Sequence, residues 1–247
     1  MTARGFARQT GAVVAGALAP LGLAPFSIWP AMLLSMAVFA RLLYQSPHSY
    51  RLAFSYGAGL YLAGASWVYV SIASFGTLPA PLAALATLSF ALFVALFFAL
   101  PFALLPRLAT TPGGFIAAFS ALWLLGEWLR SWLLTGFPWL YAGYSLTDLP
   151  LASYASLGGV YLLGALLAAG AASLALFSAL SRRQRLLGGV GAALLVAAAV
   201  PLDHIEWTQP SGPPLTVALL QPDVDQAEKW SRTERMAILD QLERSSE

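Results

Sequence analysis

The chain has 247 residues, 59% of them hydrophobic and 10% charged, with a formal net charge of +2 and no cysteine. An ordinary soluble domain is roughly 45–50% apolar and about 25% charged, so this composition excludes a disordered chain, a nucleic-acid-binding module and a conventional soluble enzyme, and points to a polytopic membrane protein. The lack of cysteine excludes a disulfide framework, a thiolate metal site and a cysteine nucleophile within these residues. The charge is uneven. Residues 1–202 carry nine arginines and two acids, a balance of +7, whereas residues 203–247 carry nine acids and four basic residues, a balance of −5. The chain therefore divides into a long apolar part, 1–202, and a short part of soluble composition, 203–247.

A spanning helix needs about 20 mostly apolar residues. Apolar stretches run over 9–24, 28–45, 53–74, 80–106, 113–133, 152–181 and 186–202. They predict an all-α polytopic membrane bundle of about seven transmembrane helices. The first and last are short, and Pro20 and Pro25 interrupt or end the first. A cleaved signal peptide over residues 1–24 is the weaker reading, because Pro25 follows Leu23-Ala24 and a second apolar stretch begins almost at once. Arg4 and Arg8 precede the first stretch, Arg41 and Arg51 flank the second loop, Arg107 lies in the fourth, and Arg182, Arg183 and Arg185 form the sixth. Eight of nine arginines thus fall on one side, which the positive-inside bias makes cytoplasmic. The N-terminus is then inside and residues 203–247 outside. Gly57, Gly59 and Gly64 in the third stretch, and Gly158, Gly159, Gly164 and Gly170 in the sixth, allow close helix packing.

In the C-terminal part, residues 215–220 (LTVALL) lie between Pro213-Pro214 and Gln221-Pro222-Asp223 and read as a buried strand followed by a turn. Ala227, Trp230, Ile238 and Leu242 then recur at helical spacing, with Glu228, Arg232 and Glu243 between them. That pattern predicts an amphipathic helix over 225–246. One strand and one helix cannot bury a core, so 203–247 reads as the beginning of an α/β domain.

Glu127 and Arg130 are the ionisable pair inside an apolar stretch, at i and i+3 on one helix face. Intramembrane charges are costly and mark function by default. One reading is functional, with Arg130 holding a lipid phosphate. The other is a structural ion pair that pins the following loop. That loop, Leu134-Thr135-Gly136-Phe137-Pro138-Trp139 and on to Gly143-Tyr144-Ser145, combines aromatic and turn residues, as a re-entrant segment lining a cavity would. An interfacial aromatic belt is the plainer alternative. Trp67, Tyr69, Trp139, Tyr141 and Trp207 are predicted at similar depth, which suggests one aromatic, lipid-facing chamber. His48 and His204 fall on opposite sides, so no metal site is read, and no cofactor motif is present.

Glu127-Trp128-Leu129-Arg130, then Thr135-Gly136-Phe137-Pro138-Trp139, then Gly143-Tyr144-Ser145, resembles the central signature of the apolipoprotein N-acyltransferase family. Ser66-Trp67-Val68-Tyr69-Val70-Ser71-Ile72 with Phe75-Gly76 is similar to another of its segments. Leu23-Ala24-Pro25-Phe26 with Trp29-Pro30 resembles its first hairpin, and residues 217–230 (VALLQPDVDQAEKW) resemble the start of its nitrilase-like domain. The resemblance implies a multi-pass enzyme of the bacterial inner membrane that acts in lipoprotein maturation. Its implied partners are a phospholipid acyl donor and a lipoprotein acceptor bearing an N-terminal diacylglyceryl-cysteine, whose α-amino group receives the acyl chain. It also implies a transient cysteine thioester, a glutamate base and a lysine that supports the oxyanion, with no cofactor. The family's Trp-Pro-Glu motif does not occur here, Lys229 is the only lysine and stands elsewhere in the pattern, and there is no cysteine. The catalytic triad is therefore expected beyond Glu247, and the 247 residues alone are expected to be inactive. Trp139 and Trp207 match family positions important for activity, and Arg130 matches the signature arginine. With Glu127, Trp67 and Tyr69 they are the expected lipid-binding or supporting residues. The competing reading is a membrane lipid-binding scaffold or transporter without enzymatic activity. It is favoured by the lack of catalytic groups and disfavoured by the absence of an inverted repeat.

Overall fold

The structure is a computed structural model and describes residues 3–76, 78–221, 223–225 and 235–246. Its helices are α1 (Ala3–Leu18), α2 (Trp29–Leu43), α3 (Ser49–Gly64), α4 (Trp67–Phe75), α5 (Ala80–Ala99), α6 (Leu105–Leu108), α7 (Pro112–Trp132), α8 (Ala155–Ala175), α9 (Arg182–Asp203) and α10 (Arg235–Ser246). Tight 3-10 turns join them at Ala19–Gly22, Pro101–Leu104, Leu133–Thr135, Ala142–Leu146 and Pro150–Tyr154. Proline sits in the first turn of α2, α5 and α7, where its missing N–H costs no helical hydrogen bond.

Every one of the seven apolar stretches contains a helix, but they differ in reach. Ala80–Leu108, Pro112–Thr135, Pro150–Ala175 and Arg182–Asp203 are each long and apolar enough to cross a membrane. α3 and α4 qualify only as a pair bent by 50°, which makes the count four, or five with that pair. α1 and α2, with 16 and 15 residues, rise about 24 and 23 Å, short of the ~30 Å hydrocarbon thickness. α8 is itself kinked at Gly158 and Gly159, and Gly159 has φ +62°, a left-handed backbone that glycine adopts freely.

α1 packs along α3, α3 against α5, and α8 against both α2 and α7. The closest approach joins α1 and α3. A Cβ added at Gly16 would lie 2.9 Å from the Leu60 nitrogen, and one at Gly59 would lie 2.9 Å from the Ala17 nitrogen. Each helix thus offers a glycine where the other's backbone passes. The core is aromatic. Phe39 stacks on Tyr56 with centroids 4.2 Å apart, and Phe98 meets Trp123 edge-on at 5.3 Å. Buried polar groups are used across helices: the Ser35 hydroxyl donates to the Ala15 carbonyl at 2.7 Å and lies 2.8 Å from the Tyr56 hydroxyl. The Ser120 hydroxyl ties α7 to the Ala165 carbonyl of α8 at 2.6 Å.

The two ends of the bundle differ in charge. The Arg8 Nη2 donates to the Leu42 carbonyl, and Tyr44 meets Phe115 edge-on at 5.3 Å, so the starts of α1 and α7 meet the end of α2. Eight arginines lie on α1, α2, α3, α6 and α9 at that end, and Arg130 and Asp148 lie toward the other.

The C-terminal part corrects the expected strand. Residues 215–220 form no strand, and Leu219 is 93% exposed. An isolated strand has no neighbour for its N–H and C=O groups, and no described residue pairs with it. Of the helix expected over 225–246, residues 235–246 are observed as α10, with Ile238 and Leu242 half-buried, and Asp225 is not helical. Ala227, Glu228, Trp230 and Arg232 lie outside the described residues.

Candidate functional site

One face of α7 carries Trp123, Glu127 and Arg130, spaced by four and three residues. All three are buried, at 2%, 1% and 6% exposure. The i, i+3 pair does not close on itself as an ion pair. Both side chains turn to the backbone of the following loop. Arg130 Nη1 donates to the Phe137 carbonyl at 3.0 Å and to the Trp139 carbonyl. The Arg130 backbone carbonyl accepts from the Phe137 N–H at 2.7 Å, so both polar groups of Phe137 are fastened to one residue. Glu127 Oε1 accepts from the Ala142 N–H at 2.7 Å and from the Trp123 indole at 3.0 Å. The loop is thus stapled at 137–139 by the cation and at 142 by the anion. Hydrogen bonds to charged groups are the stronger class, and buried charges persist only where they find such partners.

Two rings flank the guanidinium. Tyr141 lies 4.7 Å from its carbon and Tyr61 5.4 Å, within cation–π range. Glu127 Oε2 and Arg130 Nε have no hydrogen-bond partner among the described residues. Glycines make the space. A Cβ on Gly164 of α8 would come 2.7 Å from Glu127 Oε2, and one on Gly143 would come 2.9 Å from the Gly164 nitrogen. Sequence reasoning treated Gly164 only as a packing residue, and the carboxylate it accommodates is visible only once α7 and α8 are placed side by side. Tyr61 and Phe137 were likewise not singled out as site residues.

The stapled loop is strained. Leu134, Thr135 and Leu140 have φ of +52°, +75° and +62°, and Gly136 has +79°. Left-handed non-glycine residues cost roughly 1–2 kcal/mol each and persist only when the surroundings impose them. Here the two charged staples impose them. The loop's Phe137 meets Phe90 edge-on at 5.1 Å and lies 6.1 Å from Trp139. Between α5 and the loop is a cleft of about 160 Å³, lined by Phe90, Phe93, Phe97, Arg130 and residues 133–137.

The predicted aromatic residues are only partly brought together. Trp139 is 50% exposed and Trp67 44%, and their rings are 6.3 Å apart. Tyr141 is on the buried side, against Arg130 and Tyr161. Tyr69 on α4 and Trp207 after α9 are exposed and make no ring contact among the described residues. No group of three or more His, Cys, Asp or Glu side chains among the described residues could hold a metal. The site offers an apolar, aromatic slot over a buried cation whose bound Nη1 is committed to backbone carbonyls.

The N-terminal domain of apolipoprotein N-acyltransferase matches residues 15–173, which include the stapled loop. The apolipoprotein N-acyltransferase of Azotobacter vinelandii is 46% identical over 235 residues, covering 92% of this chain and 46% of the relative. That of Pseudomonas syringae pv. tomato is 46% identical over 227 residues, covering 89% and 45%. That of Chromobacterium violaceum is 41% identical over 223 residues, covering 89% and 43%. The chain spans about half the length of these curated relatives. These likenesses show that the chain belongs to the apolipoprotein N-acyltransferase family.

Proposed function

We propose that these residues form the membrane part of a bacterial apolipoprotein N-acyltransferase. In this reading residues 1–202 cross the inner membrane seven times. The N-terminus lies in the cytoplasm, and residues 203–247 lie outside as the beginning of a nitrilase-like domain. α1 and α2 count as spans because helices short of the hydrocarbon thickness are accommodated by local thinning. The arginine-rich end of the bundle supports the orientation.

The proposed chemistry moves an acyl chain from a phospholipid, through a cysteine thioester, to the α-amino group of a diacylglyceryl-cysteine. No cysteine occurs in the 247 residues, so the chain alone is proposed not to turn over. Its own residues bind and orient. The cleft beside Phe90, Phe93 and Phe97 takes an acyl chain. Trp139 and Trp67, half-exposed at the arginine-poor end, sit at headgroup depth, where amphipathic rings are favoured. Tyr69 and Trp207 extend that aromatic surface. Arg130 and Glu127 act as positioning residues that hold Trp139 in place.

The observation that carries this reading is Trp139, held against Trp67 by a loop fastened at both ends to buried charges. In a protein that also contains an intact nitrilase-like domain, Trp139→Ala is expected to lower acyl transfer about tenfold at unchanged protein level. Unchanged transfer would overturn the role given to Trp139. Turnover by the 247-residue chain itself would also overturn the reading.

A further inference from the structure

We propose that the arginine-rich end of the bundle carries a binding site for the phosphate of an anionic phospholipid, formed by Arg8 of α1 with Arg41 and Gln45 at the end of α2. These residues, with Leu42 and Tyr44, line an open cleft of about 510 Å³. It lies at the opposite end of the bundle from the Trp139 loop, so it is separate from any acyl-donor position there and does not depend on that reading.

Three observations support the site. First, two arginines from different helices line one cleft. Arg8 is oriented by its bond to the Leu42 carbonyl, which occupies one amino group of the fork and leaves the rest of its donors for a ligand. The Arg41 side chain makes no hydrogen bond or ion pair with any described residue. Second, residues 1–202 supply little counter-charge. The only acids in residues 1–202 are Glu127 and Asp148, and Glu127 is buried beside the stapled loop at the other end. The carbonyls at the end of α2 offset part of the positive charge, but two like charges beside one cavity still favour an anion. Guanidinium forks match phosphate oxygens in geometry as well as charge. Third, the walls are partly apolar. Leu42 is half-buried, and Tyr44 packs edge-on against Phe115. A lipid places its phosphate at the bundle end and its glycerol and chains along such walls, whereas free phosphate gains nothing from them. Basic pockets between membrane helices take anionic headgroups in this way.

The test is native mass spectrometry of the delipidated 247-residue chain in detergent, titrated with phosphatidylglycerol or phosphatidylcholine. Phosphatidylglycerol is expected to bind more tightly. Arg41→Gln is expected to weaken it about fivefold, and the Arg8→Gln/Arg41→Gln pair should bring it to the phosphatidylcholine level. Arg182→Gln/Arg183→Gln, which alters charge elsewhere at the same end, should preserve the preference. Equal binding of the two lipids by the unsubstituted chain overturns the proposal and needs no variant. So does a preference that survives the double substitution. Displacement of phosphatidylglycerol by an equal concentration of inorganic phosphate would mean a site for the free anion, and it would also overturn the lipid assignment.

Discussion

Arg130 joins three parts of the molecule: helix α7, the backbone of residues 137–139, and the rings of Tyr61 and Tyr141. Lysine at this position keeps the charge but loses the planar fork and the ring stacking. Arg130→Lys is therefore expected to destabilise by about 2–3 kcal/mol, within the range for disturbing a buried charge network. Hydrogen exchange should locate the effect, with faster exchange at the Phe137 amide and unchanged exchange in α8. Equal protection in both regions would show that the fork is dispensable. Glu127 should behave differently. Only Oε1 is hydrogen-bonded, and a glutamine carbonyl can accept the same bonds from Ala142 and Trp123. Glu127→Gln is expected to cost about 1 kcal/mol, and Glu127→Ala about 3 kcal/mol, because the alanine leaves buried donors unpaired. Comparing the two variants by thermal unfolding in detergent checks this order. The shared helix face of Glu127 and Arg130 was legible from sequence, because i and i+3 spacing on an apolar helix is local, but the reading that they pin the loop assumed an ion pair between them that does not form. Their partners were not legible. The carbonyls of Phe137 and Trp139 carry no side-chain signature, and only the turn geometry aims them.

At the scale of elements, α1 and α3 show how glycine spacing becomes contact. Gly16 and Gly59 lie where the opposite backbone passes, so neither can grow. Gly59→Val is expected to cost about 3 kcal/mol and to separate the two helices, as overpacking in a filled interface does. Gly189→Ala in α9, where an added Cβ meets nothing within 4 Å, should be neutral or slightly stabilising. A thermal-shift comparison of the two variants decides the matter, and equal losses would mean that the α1–α3 contact is not a close one. The glycines of the third stretch were legible as packing residues. Their partner helix was not, because a small residue does not encode what approaches it. The bend between α3 and α4 was missed for a related reason: residues 53–74 are uniformly apolar, so hydropathy alone merges two helices that diverge by 50°.

For the whole molecule, the absence of cysteine from these 247 residues gives a direct test of the proposed topology in the 247-residue chain. Single cysteines introduced at Ser46, Ser181 and Ser211 should react selectively with a membrane-impermeant maleimide. In intact spheroplasts only Ser211→Cys should label, and all three should label after permeabilisation. Labelling of Ser46→Cys in intact cells would invert or break the seven-span arrangement. The arginine alternation that motivates this test is a property of sequence, and the structure gathers eight arginines, carried by five helices, at one end. Span number is harder to read. Apolar length identifies helical stretches, but α1 and α2 are shorter than a bilayer, and whether they cross depends on their neighbours.

The sequence by itself determined that the chain is helical and apolar, where its arginines cluster, that Glu127 and Arg130 share a helix face, and that no cysteine is available. Each follows from composition or from spacing within one helix, which depends on local backbone geometry. The tertiary structure alone decided that these two charges hold a loop instead of each other, that Gly164 clears space for a carboxylate, that Trp139 meets Trp67, and that Arg8 and Arg41 share one cleft. It also decided that residues 215–220 are not a strand, since a strand exists only where a second one accepts its hydrogen bonds. These features depend on groups distant in sequence, and only packing brings such groups within a few ångströms.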